Sequence, residues 1–147
     1  MVIVRKSGLL RGKILAAEEG KRVMTDPVRW KAESLFLDLA DWAEEFRSRL
    51  APSSQAAPPP GQPWLGRWDE RKTTPWIHLL VEPAGEMLWE QMQRQQVSHW
   101  LELSDLYDSW RRLELAKVGV VEVGGKSCRC VSLSVIQVSR LRQERTT

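Results

Sequence analysis

Two adjacent glycines, Gly124 and Gly125, constrain this chain more than any other feature of its sequence. They lie within VGVVEVGGKSCRCVSLSVIQV, residues 118–138, between two valine-rich runs in which apolar residues alternate. Such alternation is typical of strands, and a glycine pair readily takes the positive φ angles of a tight hairpin turn. The sequence therefore predicts a β-hairpin that turns at the two glycines.

The return strand of this hairpin is longer than the strand before the turn. Strand-like residues continue over 127–138, so the second half needs a partner beyond the hairpin to satisfy its backbone groups. Residues 2–4 fit this role, and so do residues 76–81, a short apolar run bounded by prolines. We therefore expect a small sheet that joins distant parts of the chain.

A proline-rich segment, APSSQAAPPPGQP at residues 51–63, contains five of the eight prolines and no charged residue. Proline lacks a backbone donor, and consecutive prolines favour an extended path, so this segment is predicted to be a linker or a long surface loop. It separates an N-terminal strand and helix segment, residues 1–50, from residues 64–147. A sheet shared by the two pieces would make them one compact domain.

Three helices are predicted from capping residues and apolar spacing. Asp26 as N-cap and Pro27 at the first helical position begin a helix over residues 27–50, in which apolar residues recur at steps of three and four. A second helix is expected over residues 83–96, and a third begins after Ser104 as its N-cap.

Cysteine usage and hydropathy predict a soluble, cytoplasmic protein. The two cysteines, Cys128 and Cys130, are too close together to form a framework of disulfides, which is typical of a reducing compartment. The apolar runs are short and the first residues lack the apolar core of a signal peptide, so no membrane association is expected. The net charge of +3 does not identify a partner by itself.

A helix ending in WRRLELAKVGVVEV, followed by the glycine turn and a basic return strand, KSCRCVSL, resembles the winged-helix domains over residues 83–138. The expected fold class is therefore α+β and winged-helix-like, with three main helices and a small antiparallel sheet ending in a C-terminal β-hairpin. Residues 5–24 fit either a hairpin or a short helix, and the sequence leaves both open.

Winged-helix domains usually bind DNA, with the second helix of the pair in the major groove and the wing beside the backbone, and many serve as protein-docking modules. By position, the resemblance assigns Arg111 and Arg112 to the helix and Lys126 and Arg129 to the wing. Lys117 is counted with them as nucleic-acid-binding. The same helix region carries three acidic residues that would weaken binding in a groove: Asp105, Asp108 and Glu114.

A second candidate surface is PWLGRWDERKTTPW, in which tryptophans are interleaved with cations. Single-stranded nucleic acid is bound by such a mixture, since the rings stack on bases and the cations contact phosphates. The residues predicted to bind in this way are Arg67, Trp68, Arg71 and Lys72. The alternative is that these tryptophans cover the core where the proline-rich segment crosses it.

A third surface is the acidic face of the first helix, which would repel phosphates and suit a basic protein partner. Its carboxylates are Asp38, Asp41, Glu44 and Glu45. Tryptophan is a frequent anchor of protein interfaces. The predicted protein-interface residues are Trp42, Trp64 and Trp76.

The sequence carries no recognisable enzyme motif, and we predict no cofactor and no catalytic activity. Cys128 and Cys130 with His78 and His99 lack the spacing of a zinc site, so no metal is expected. The preferred hypothesis is a small accessory protein that binds DNA or RNA through the helix, the hairpin and the Trp/Arg segment. The alternative is a structural or adaptor subunit that docks onto partner proteins in a larger complex. The oligomeric state stays open.

Overall fold

The computed structural model describes residues 27–69 and 75–146. The chain divides into two compact units, residues 1–30 and 31–147, and of the first unit only residues 27–30 are described. The predictions for residues 2–4 and 5–24 therefore lie outside the described residues.

The described residues form four α-helices and five strands, so the predicted α+β class is confirmed. The helices are α1 (Pro27–Glu45), α2 (Val81–Arg94), α3 (Leu103–Arg112) and α4 (Val135–Thr146). The strands are β1 (Leu50–Ala51), β2 (Gly66–Trp68), β3 (Trp76–Leu80), β4 (Ala116–Val123) and β5 (Lys126–Ser134). No helix among these residues is long and apolar enough to cross a membrane.

The strands lie in the order β1-β2-β3-β5-β4. β3 pairs antiparallel with the end of β5, from Trp76 opposite Ser134 to Leu80 opposite Cys130, and so supplies the partner that the long return strand required. β1 runs parallel to β2, whereas the other pairs are antiparallel. The sheet is therefore mixed and not antiparallel as predicted, because the proline-rich segment returns the chain to the sheet in the same direction.

The predicted hairpin is present, with Gly124 and Gly125 at φ angles of 60° and 79°. The prediction that its return strand continues to Val138 is wrong, because β5 stops at Ser134 and α4 follows. Ladder pairing with β3 also ends at Ser134, and the Ser134 hydroxyl accepts a hydrogen bond from the Gln137 amide. Beyond this point, Val138 and Leu141 are buried on a helical face, which makes α4 a fourth helix.

The first helix ends earlier than its apolar spacing predicts, at Glu45 rather than at Leu50. A short 3-10 turn follows, and Leu50 and Ala51 then pair with β2. Pro52 disfavours helical backbone at the residue before it, so Ala51 is extended and available to the sheet. α2 begins two residues before its predicted start, and Glu102, not Ser104, is the N-cap of α3.

The main core lies between the helices and one face of the sheet. On β5 it takes alternate residues, Val131 and Leu133. At its centre the fully buried ring of Trp110 packs edge-on against Phe36, with ring centroids 5.8 Å apart. Trp110 Nε1 also donates a hydrogen bond of 2.7 Å to the carbonyl oxygen of Ala32, which ties α3 to α1.

The proline-rich segment is a loop between β1 and β2 that folds back onto the hairpin turn. The Gly125 amide donates to the Ser54 carbonyl over 2.8 Å, and the Gln55 side chain donates to Glu122 over 3.0 Å. The Trp64 indole packs close to Gly124, and a small second core cluster forms here on the other sheet face. The hairpin turn is therefore held by the loop.

Candidate nucleic-acid interface

A groove of about 380 Å³ lies between α3 and the hairpin. Two of the predicted nucleic-acid-binding residues line it, Arg111 from α3 and Arg129 from β5, although they are far apart in the sequence. Val81 and Val118 supply apolar lining, and a carboxylate is contributed by Asp108. The fold thus brings two cations from different elements to one concave surface.

Two hydroxyl-bearing residues, Ser104 and Tyr107, line the same groove and were not predicted as site residues. The signal that identifies them is helical spacing, since they precede Arg111 by seven and four residues on one face of α3. The Tyr107 hydroxyl is buried, and no described residue forms a hydrogen bond with it. Burial raises the pKa of Tyr107 from 10 to about 12.

The cations of the groove are only weakly engaged within the fold. Arg111 lies 3.8 Å from Asp108, but both side chains are more than half exposed, and exposed pairs of this kind contribute little. Arg129 is exposed and makes no ion pair with another described residue. The predicted cations Lys126 and Arg112 are not among the residues that line the groove. Lys126 is exposed beside the hairpin turn, and Arg112 is exposed on α3, where it donates to the Ser109 hydroxyl over 3.3 Å.

Lys117 does not join this groove. It neighbours Val118, and alternation along β4 sends the two side chains to opposite faces of the sheet. The Lys117 ammonium lies 4.7 Å from the ring centroid of Trp76, which is a cation–π contact. Two residues predicted to bind partners, Lys117 and Trp76, therefore contact each other within the fold.

The second predicted surface is largely occupied by contacts within the fold. Arg67 donates to Asp69 over 2.8 Å and to the Glu122 carbonyl over 2.8 Å, and its side chain is 16% exposed. The Arg47 guanidinium lies 4.0 Å from the ring centroid of Trp68. The Trp64 indole donates to the Ala56 carbonyl in the loop. These contacts favour the packing interpretation of the tryptophans. Arg71 and Lys72 lie outside the described residues.

A polar row crosses the sheet face opposite the main core. Its members stand side by side on four strands: Arg67, His78, Ser132 and Lys117. His78 Nδ1 lies 2.6 Å from Ser132 Oγ, the geometry of a nucleophile with its base. Ser132 is only 2% exposed, however, so a substrate cannot reach its hydroxyl in this arrangement.

The protonation of His78 is suppressed by its surroundings. Burial, with the nearby cations Arg67 and Lys117, lowers the pKa of His78 from 6.5 to about 4, and the Asp69 carboxylate only partly opposes this. In the unfolded chain the imidazole binds a proton as the pH falls below 6.5, whereas in the folded protein it stays neutral down to about 4. The contribution of His78 to the free energy of unfolding is therefore expected to be fully present above pH 6.5. It should be lost progressively as the pH decreases from 6.5 to about 4.

Thermal unfolding measured from about pH 7 down to about pH 5 tests this expectation for His78. A His78→Gln variant retains polar character at the position without a titrating ring, so its melting temperature should fall less steeply with pH than that of the wild type. Equal pH dependence in the two proteins would show that His78 does not carry the effect.

Neither cysteine is placed for metal binding in the described part of the chain. Both thiols are free, and burial raises the pKa of Cys130 to about 11. No group of three or more His, Cys, Asp or Glu side chains within residues 27–69 and 75–146 is arranged to hold a metal ion.

No family model, curated protein or solved structure matches the chain at a significant level.

Proposed function

We propose that the chain binds nucleic acid through backbone phosphates in the groove between α3 and the hairpin. The observation that carries the proposal is the convergence of Arg111 and Arg129 on one groove, together with the exposed Ser104 beside them. Guanidinium and hydroxyl groups are among the side chains that bond phosphate oxygens in protein complexes with nucleic acid. Lys126 extends the same basic character to the hairpin turn.

Contacts to the phosphates, not to base edges, are favoured by the charge of α3. Glu102 and Asp105 lie at its N-terminal end and are exposed, as is Asp108 in its middle, whereas Arg111 and Arg112 lie in its last turn. An acidic N-terminal end opposes insertion of the helix into a groove of the duplex, where phosphates line both sides. Binding is therefore expected to depend little on sequence.

The order of elements supports a winged-helix-like interpretation of this region. β3, α2 and α3 are followed by the β4–β5 hairpin, and β3 pairs with the return strand of that hairpin. Under this proposal the hairpin takes the place of the wing, held in position by the loop contact to Gly125. A pre-ordered hairpin loses less conformational entropy on binding than a mobile one.

Charge reversal at the two groove arginines provides the test. The Arg111→Glu/Arg129→Glu variant is expected to bind labelled DNA or RNA at least about tenfold more weakly than the wild type. The slope of log K against log salt should also become shallower by about 1.8 on duplex DNA, because two phosphate contacts are lost. Fluorescence anisotropy with single-stranded DNA, duplex DNA and RNA at several salt concentrations measures both quantities.

Arg94→Glu is a matched control for the single Arg111→Glu variant, measured alongside the double variant, because the two single substitutions change the net charge equally. Arg94 is also an exposed arginine in the last turn of a helix, and it lies 3.7 Å from a carboxylate of the preceding turn, as Arg111 does. It should leave affinity nearly unchanged. An equal loss in the control would indicate a response to net charge alone, and no binding of the wild type to any of the three nucleic acids would refute the proposal.

A further inference from the structure

A second groove, of about 630 Å³, lies between α1 and α2. Its walls are mostly acidic, with five carboxylates and one cation: Asp38, Asp41, Glu45, Glu86, Glu90 and Arg94. Glu86 and Glu90 extend onto α2 the acidic face that the sequence predicts for α1. The two helices thus share one concave, negatively charged surface.

The same groove has apolar lining. Trp42 is half-buried and packs against Phe46 with ring centroids 5.4 Å apart, and Met87 and Pro83 line the groove from α2. Methionine and tryptophan are adaptable anchors for apolar side chains of a partner. The groove therefore combines an apolar strip with charged walls, which a solvated surface does not require.

Part of the negative charge of this groove is already balanced within the fold. Arg142 of α4 lies 2.5 Å from Asp41, and Arg94 lies 3.7 Å from Glu90. Glu45 and Glu86 make no ion pair with another described residue, and they lie on facing helices. Negative charge that is not balanced by an ion pair with a described residue therefore lies on both walls of the groove, at Glu45 on α1 and at Glu86 on α2.

We infer that this groove is a docking site for a basic, amphipathic helical segment of a partner protein. Apolar side chains spaced at three and four residues would contact Trp42 and Met87, and flanking lysines or arginines would face Glu45 and Glu86. Charge complementarity selects this occupant, since a nucleic acid or an acidic segment is repelled by the same walls. The site is separate from the phosphate groove, so it does not depend on the function proposed above.

The test uses the full chain and a synthetic, fluorescein-labelled helical peptide of about 18 residues, with leucines at helical spacing and lysines elsewhere. A scrambled peptide of identical composition has the same charge without the apolar face. We expect the amphipathic peptide to bind at least about tenfold more tightly than the scrambled one. Equal affinity for the two peptides, or no binding of the amphipathic one, would overturn the inference.

A paired charge reversal locates the binding site. Glu45→Lys/Glu86→Lys should weaken binding of the amphipathic peptide by at least about tenfold, since it places cations on both walls. The control, Glu82→Lys/Asp105→Lys, changes the net charge equally at exposed positions outside the groove and should bind like the wild type. Equal losses in the two variants, or none in the groove variant, would show that the peptide does not bind here. Circular dichroism of each variant verifies that the helices are retained.

Discussion

Replacing Trp110 by alanine is expected to lower the free energy of unfolding by about 3 to 5 kcal/mol. The side chain is fully buried, packs against Phe36 and Tyr107, and donates to the Ala32 carbonyl. Truncation removes the largest ring of the core, leaves a cavity, and deprives that carbonyl of its indole donor, so the losses of packing and hydrogen bonding combine. The loss should be large because Trp110 joins α3 to α1 at the centre of the core.

Urea denaturation followed by circular dichroism measures this effect. Trp89→Ala is a suitable control, because Trp89 is 48% exposed on α2 and its removal should cost well under half as much. Trp110→Phe should fall between the two, since it retains an aromatic ring but loses the indole donor. A loss of less than about 1 kcal/mol in Trp110→Ala would contradict the central position of this residue in the core.

Gly66→Ala is expected to produce a comparably large loss, by a steric mechanism. A Cβ atom on Gly66 would lie 1.9 Å from the carbonyl oxygen of His78, a distance that no real contact of this kind shows. The obstacle is the backbone of β3, which cannot rotate away as a side chain can. Either β2 separates from β3 or both strands shift, and we expect a cost of about 3 kcal/mol or more.

Gly119→Ala is the matched control for this substitution. Gly119 is also a strand glycine with an ordinary φ angle, and apart from its own neighbours in the chain no atom lies within 4 Å of a Cβ built there. Its replacement should be neutral or slightly stabilising, because alanine restricts the unfolded chain more than glycine does. Thermal unfolding of the two variants side by side gives the comparison. A Gly66→Ala protein as stable as Gly119→Ala would show that β2 does not pair with β3 as described.

The two grooves have opposite electrostatic character on neighbouring elements. The groove between α3 and the hairpin holds Arg111 and Arg129, whereas the groove between α1 and α2 holds mostly carboxylates. Charge reversals in one should therefore leave ligand binding in the other nearly unchanged, apart from long-range effects that salt screens within about 10 Å. The nucleic-acid and peptide experiments are independent for this reason.

The candidate site could be predicted in part from the sequence. The cations of the helix and hairpin follow from their order along the chain, and Arg111 and Arg129 do line one groove. Lys117 could not be separated from them by position alone, because its assignment to the other sheet face depends on the register of β4 against β5. The sequence assigned Arg67 to phosphate binding because its bonds to Asp69 and to the Glu122 carbonyl depend on the folding of the chain.

What the sequence determined by itself is local: the glycine turn, the strand character around it, and helices near their observed positions. These follow from propensity and periodicity, which are properties of neighbouring residues. Three features depend on the tertiary structure. Trp76 pairs opposite Ser134, α4 replaces the end of the predicted return strand, and the proline-rich loop contacts the hairpin turn. Each of these depends on contacts between residues far apart in the chain, where the free energy of pairing and burial outweighs local preference.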